Sequence, residues 1–176
     1  MKKSVFHYKY IIVLLFIPSL LALFLFIPYK GVVAFYYQNT SKILAYFPVN
    51  SGDRFEIEYK HSIHLSNVKE SYLLEEGKIV QKKLEYEDFA VGMPSQAEEN
   101  EVFKQENGKY IISNMNRKFD HIDLRTGQVI ANHKVKYDRK QAFLKDYIEP
   151  GSWVRIKKTK MNLLQQAKGV NIFGER

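Results

Sequence analysis

Between Arg54 and Lys60 the chain alternates strictly. Phe55, Ile57 and Tyr59 fall on one side of an extended backbone, and Glu56, Glu58 and Lys60 on the other. A helical period of 3.6 scatters these residues around the axis. The segment is therefore a strand with one wet face and one buried face. Tyr72 and Leu74 begin a second alternating series, with Glu70 in phase. Folding the two runs around Leu65–Ser66 sets His61 opposite Glu70, Tyr59 opposite Tyr72 and Ile57 opposite Leu74. An imidazole and a carboxyl group then share the inner side of a hairpin, where a polar pair is costly unless it is satisfied.

Turn chemistry divides the rest of the chain into similar pieces. Asn50–Asp53, Glu76–Lys78 and Arg125–Gly127 are turn signals, and Asn107–Gly108 is a strong two-residue hairpin signal. The runs between them predict strands over 43–49 (an edge strand, given Pro48), 54–62, 69–75, 79–89, 102–105 and 109–113. A further hairpin is predicted from 119–124 and 128–136, then a short helix over 138–149 and a last strand over 153–157. Seven or eight short strands joined by turns make the protein mainly β, either an antiparallel β-sandwich or a small barrel.

The N-terminus reads differently. From Tyr10 to Tyr29 there is no charged residue. Twenty helical residues span about 30 Å, the thickness of a bilayer core. Lys2, Lys3 and Lys9 precede the run and orient the N-terminus to the cytoplasm. A cleaved signal peptide ending near Val32–Ala34 is the alternative, but the run exceeds the usual core of about 7–15 residues. The expected layout is a cytoplasmic N-terminus (1–9), a transmembrane signal anchor (10–29), a juxtamembrane linker (30–40), an extracytoplasmic β-domain (41–160) and a basic C-terminal tail (161–176). This puts a single-pass protein in the cell membrane with its C-terminal domain outside.

Charge and cysteine usage narrow the chemistry. The net charge of +8 sits at the two ends, while the middle of the chain is slightly acidic. The C-terminal lysines suit an anionic lipid surface or an acidic partner, and export disfavours nucleic acid. The absence of cysteine excludes a disulfide framework, thiolate catalysis and a lipid-modified cysteine.

His61, His64, His121 and His133 raise the question of a metal. His61 and His64 are three apart and point to opposite faces of a regular strand, so no metal or other cofactor is expected. Ser62 beside His61 invites a hydrolase reading, but no Gly-x-Ser-x-Gly elbow surrounds it. The pair His61–Glu70 is the better candidate, as a register-fixing contact or as part of a ligand pocket. Arg125 and His133 on the later hairpin would add positive charge for a carboxylate ligand. Gly92–Met93–Pro94 reads as a structural loop or as the rim of that pocket.

Several of these segments, taken in order, resemble the DUF1850 family of small bacterial proteins. They are Pro48-Val49-x-x-Gly52-Asp53-x-Phe55, Tyr59-x-His61-Ser62-Ile63, Glu70-x-Tyr72 and Phe89-x-x-Gly92-Met93-Pro94. The resemblance runs over about residues 42–157. It departs mildly where Ile63 replaces a valine, Asn67 a proline, and Ala90 and Val91 a Gly-Ala pair. It implies a non-catalytic accessory role beside TRAP transporters of the TAXI type, which import small carboxylates. The expected site is His61, Ser62, Glu70, Gly92, Met93, Pro94, Arg125 and His133. The alternative is an envelope hydrolase or metal-dependent enzyme using His61, Ser62 and Glu70.

Overall fold

The structure is a computed structural model that describes residues 16–18, 22–23, 25–62, 64–89, 92–130 and 132–174. Half of the predicted span over 10–29 lies outside these residues. Among the described residues no helix is long and apolar enough to cross a membrane.

Two antiparallel sheets carry the fold. The smaller contains β1 (Lys30–Tyr37), β2 (Ile43–Pro48), β9 (Ile122–Arg125), β12 (Trp153–Met161) and β13 (Val170–Asn171), in the order β13-β2-β1-β12-β9. Its only parallel pair among the described strands is β13 on β2. The larger contains β3 (Arg54–Lys60), β4 (Asn67–Glu75), β5 (Lys78–Tyr86), β6 (Val102–Glu106), β7 (Lys109–Ser113), β10 (Lys134–Tyr137) and β11 (Lys140–Phe143). Their order is β11-β10-β3-β4-β5-β7-β6, and β8 (Arg117–Phe119) also pairs with β5. Neither sheet closes into a barrel.

A shared core joins the sheets. Val33, Phe35 and Phe47 from the smaller sheet pack with Phe55, Ile57, Tyr72, Leu74 and Val135 from the larger. Phe47 sits at the centre, with its ring 5.8 Å from Phe55 and 5.2 Å from Tyr137, both on the opposing sheet. A second cluster, Val68, Leu84, Tyr86, Ile112 and Met115, continues along the larger sheet. Met93 packs against this cluster, and the Tyr86 hydroxyl donates to the Pro94 carbonyl. The Gly92–Pro94 loop is thus a lid on apolar side chains.

Several predicted boundaries move. Lys30–Tyr37, expected as a linker, is β1, an interior strand hydrogen-bonded to β2 and β12. Val32, Val33, Ala34 and Phe35 are all 0% exposed. Both faces of β1 are covered: Val33 and Phe35 face the shared core, while Val32 and Ala34 pack with Tyr46 and Met161 on the other side. A strand buried on both faces has no alternation to read.

The expected tail is also part of the domain. Helix α1 (Leu163–Lys168) opens with an Asn162 capping box and lies by the outer face of the smaller sheet, where the Tyr46 hydroxyl meets the Gln166 carbonyl. Beyond it, Ile172 and Phe173 pack into the core. The predicted helix over 138–149 is instead a positive-φ turn at Asp138–Arg139, strand β11 and a 3-10 turn at Leu144–Asp146. The predicted edge strand is β2, which β13 covers at Ala45–Tyr46.

The two hairpins with Glu76–Gly77 and Asn107–Gly108 at their turns form as expected. The latter has φ of +51° and +74° at its two turn residues, as a type I′ turn requires. The hairpin of 119–124 with 128–136 does not form. Strand β8 belongs to the larger sheet, β9 to the smaller and β10 to the larger again. The chain crosses at Asp120–His121 and returns through 126–133.

Candidate functional site

Strands β3 and β4 pair antiparallel, but the register differs from the expected one. Ile57 faces Glu70, Tyr59 faces Val68 and Lys60 faces Asn67. The connection is a loop over 61–66, not a tight turn at Leu65–Ser66. The His61 N–H donates to Ser66 O at 2.8 Å, the Leu65 N–H donates to His61 O at 2.9 Å, and Leu65 takes a φ of +55°. This loop lifts His61 off the strand and places its ring 5.8 Å from that of His64. Ser62 is exposed. The register therefore does not set His61 opposite Glu70. The slip is even in the strand repeat, so Glu70 keeps its inward face.

Glu70 finds a different partner. The Tyr72 hydroxyl donates to Glu70 Oε2 at 2.7 Å. Burial pushes the Glu70 carboxyl above the ordinary carboxylate range, against the pull of that hydrogen bond. Burial, and then the Glu70 charge, raise the phenols of Tyr59 and Tyr72. A bulge where β5 carries an extra residue opposite Ser71–Tyr72 sets Gln81 against Tyr72, and Gln81 is buried.

The two crossings between the sheets complete a cleft of about 480 Å³. Tyr59, Glu70, Tyr72 and Gln81 come from the larger sheet, Ile122, Asp123 and Leu124 from β9, and His121 and His133 from the crossings. Phe119 on β8 adds a further aromatic wall. Tyr59, in the lining of the cleft, packs against both apolar clusters.

His133 is held tightly. The Gly127 N–H points at its Nδ1 at 3.4 Å, its carbonyl accepts from the Leu144 N–H at 2.8 Å, and its ring stacks on Tyr59 at 5.0 Å. Burial pushes the imidazole down to about 4. The ring is neutral at pH 7, with Nδ1 accepting and the proton on Nε2. His133 and Tyr59 also line a larger cleft of about 610 Å³ whose lining includes Lys60, Lys109 and Lys145.

Of the residues nominated from sequence, Glu70 and His133 converge on the smaller cleft. His61, Ser62, Gly92, Met93, Pro94 and Arg125 are not among its described lining residues. Arg125 is exposed at the end of β9, opposite Trp153. No described lining residue of the cleft is a lysine or arginine. Asp123 is already engaged by Arg155 through two bonds of 2.7 and 2.8 Å. Among the described residues no group of three or more His, Asp or Glu could hold a metal ion.

Sequence reasoning did not nominate Tyr59, Tyr72 or Gln81. Two of them carried a signal: Tyr59 and Tyr72 stand in phase with the inward series, and their hydroxyls need partners there. The cleft can accept hydrogen bonds at Glu70 and Gln81, donate them from phenols and imidazole, and surround a ligand with rings.

No curated protein and no solved structure matches the chain. A family model described as a domain of unknown function, DUF1850, matches residues 55–144, just over half of the sequence. That stretch runs from β3 to the 3-10 turn and contains every described lining residue of the cleft. The chain belongs to the DUF1850 family.

Proposed function

We propose that this protein is a membrane-anchored, extracytoplasmic accessory module that holds a small solute in the cleft between its sheets and assists TAXI-type TRAP uptake. On this reading the two open sheets are the layers of a β-sandwich carried on an N-terminal span. The observation that carries the binding role is the half-buried Glu70 with Tyr72, Tyr59, Gln81 and His133 around one cleft. Polar groups inside an apolar sheet interface destabilise a fold that has no use for them. The envelope address is supported by the uncharged run over 10–29 and the lysines before it. The transporter is supported by the family resemblance.

Purification of the full chain in mild detergent from cells expressing a TAXI-type transporter tests this. Co-purification of transporter subunits in stoichiometric amount is the expected result. A clean preparation of this chain alone, at transporter levels detectable in the same membranes, would overturn the accessory role.

A further inference from the structure

The proposed cleft has a definite electrostatic preference, and the following rests on its being the binding site. Its described lining includes two carboxylates and no lysine or arginine. Arg155 already neutralises Asp123, so Glu70 is the carboxylate left in the cleft lining without a cationic partner among the described residues. Tyr59, Tyr72 and Phe119 line the same space. A carboxylate ligand would meet Glu70 with like charge and no lysine or arginine among the described lining residues to compensate it. A cation would meet a carboxylate beside aromatic rings, the combination that recognises organic ammonium groups.

We infer that the cleft binds the ammonium group of a small organic amine, with Glu70 as its counter-ion, Tyr59, Tyr72 and Phe119 as its walls and Gln81 as a second acceptor. The Tyr72 hydroxyl orients the Glu70 carboxylate through the 2.7 Å bond. A ligand that also carries a carboxylate would bind by its amine end. A neutral polyol would find hydroxyl and amide partners here but gain nothing from the charge of Glu70.

The test is a titration of the full chain in detergent micelles with tetramethylammonium chloride, and separately with sodium acetate, at constant ionic strength. Tyrosine and histidine ring resonances report binding by NMR. The expected result is a saturable shift of the Tyr59, Tyr72 and His133 signals with tetramethylammonium and none with acetate. Glu70→Gln should weaken binding at least tenfold while its amide oxygen keeps the acceptor for Tyr72. Tyr59→Leu, which removes a wall and leaves Glu70, should weaken it severalfold.

A response to acetate at the same resonances would overturn the cation preference and leave the cleft standing as the site. Tetramethylammonium binding unchanged in Glu70→Gln would overturn the counter-ion role. Absence of any saturable shift would overturn the inference, while the accessory role is decided separately by co-purification.

Discussion

Tyr72 and Glu70 lie two residues apart on the same face of β4, and the tyrosine hydroxyl donates to the carboxylate at 2.7 Å. The contact needs no residue from another strand. It keeps an acid inside the sheet interface although the imidazole expected to pair with it sits in a loop. Its removal separates the cost of burying Glu70 from the benefit of satisfying it.

Tyr72→Phe deletes the donor and leaves the ring in place against Phe55, 5.1 Å away. An unsatisfied buried acceptor costs about 1–3 kcal/mol. The loss should appear in urea unfolding at pH 7, and should fall below about 1 kcal/mol when Glu70 is replaced by leucine in the same chain. Equal losses in both backgrounds would mean that the hydrogen bond is not what Tyr72 contributes.

Stability should rise and fall with pH through two groups of opposite sign. The folded value for His133, about 4, lies below the unfolded value of about 6.5. Its contribution is present above pH 6.5 and is lost as pH falls towards 4, by roughly 3 kcal/mol. Glu70 has a raised folded value, so its contribution is present at low pH and is lost as pH rises through that value. His133→Asn, which preserves an acceptor for the Gly127 N–H, should flatten the acid limb. Glu70→Gln should flatten the limb above the ordinary carboxylate range. Chemical denaturation from pH 4 to 8 measures both.

Deleting residues 162–176 should destabilise the domain by at least about 3 kcal/mol, the scale of opening a large core cavity. The deletion removes Ile172, which is 3% exposed, and the Phe173 ring 5.3 Å from Phe47. A dispensable basic tail would instead leave the melting temperature unchanged, so differential scanning calorimetry of the truncated chain separates the two descriptions.

Gly31→Ala tests the place of β1 in the sheet. A methyl group there would lie 2.7 Å from the Val49 carbonyl oxygen, a backbone atom that cannot swing aside. The expected cost is about 1–3 kcal/mol. A linker glycine would tolerate the change within about 0.5 kcal/mol.

Strands exposed on one face were legible because their period is visible: Phe55, Ile57 and Tyr59 alternate with charge, and Asn107–Gly108 closes its hairpin as two positive-φ residues should. β1 was not, because it is buried on both sides and follows directly on an uncharged run. The crossings were hidden for another reason. Arg125–Thr126–Gly127 is equally good chemistry for a tight turn and for leaving a sheet, and only tertiary hydrogen bonds decide. Thr126 exchanges backbone bonds with Ser152 and Gly151, which ties the departure to the start of β12.

The site was half legible for the same physical reason. Strand parity put Glu70 inside whatever the register, so its burial could be anticipated. Its partner could not, because the length of the 61–66 loop sets the register and nothing local announces the positive φ of Leu65. His133 reaches Tyr59 only because the chain changes sheets twice between β8 and β10. Arg125 fell outside because β9 pairs with β12 and not with β10.

The most direct measurement is the titration of the Glu70 side-chain carboxyl by carbon-13 NMR, assigned by its disappearance in Glu70→Gln. A half-buried carboxyl beside Tyr59 and Tyr72 should titrate above the ordinary carboxylate value of 4.5. Titration at or below that value would mean a hydrated or cation-paired carboxylate, and would contradict the cleft described here.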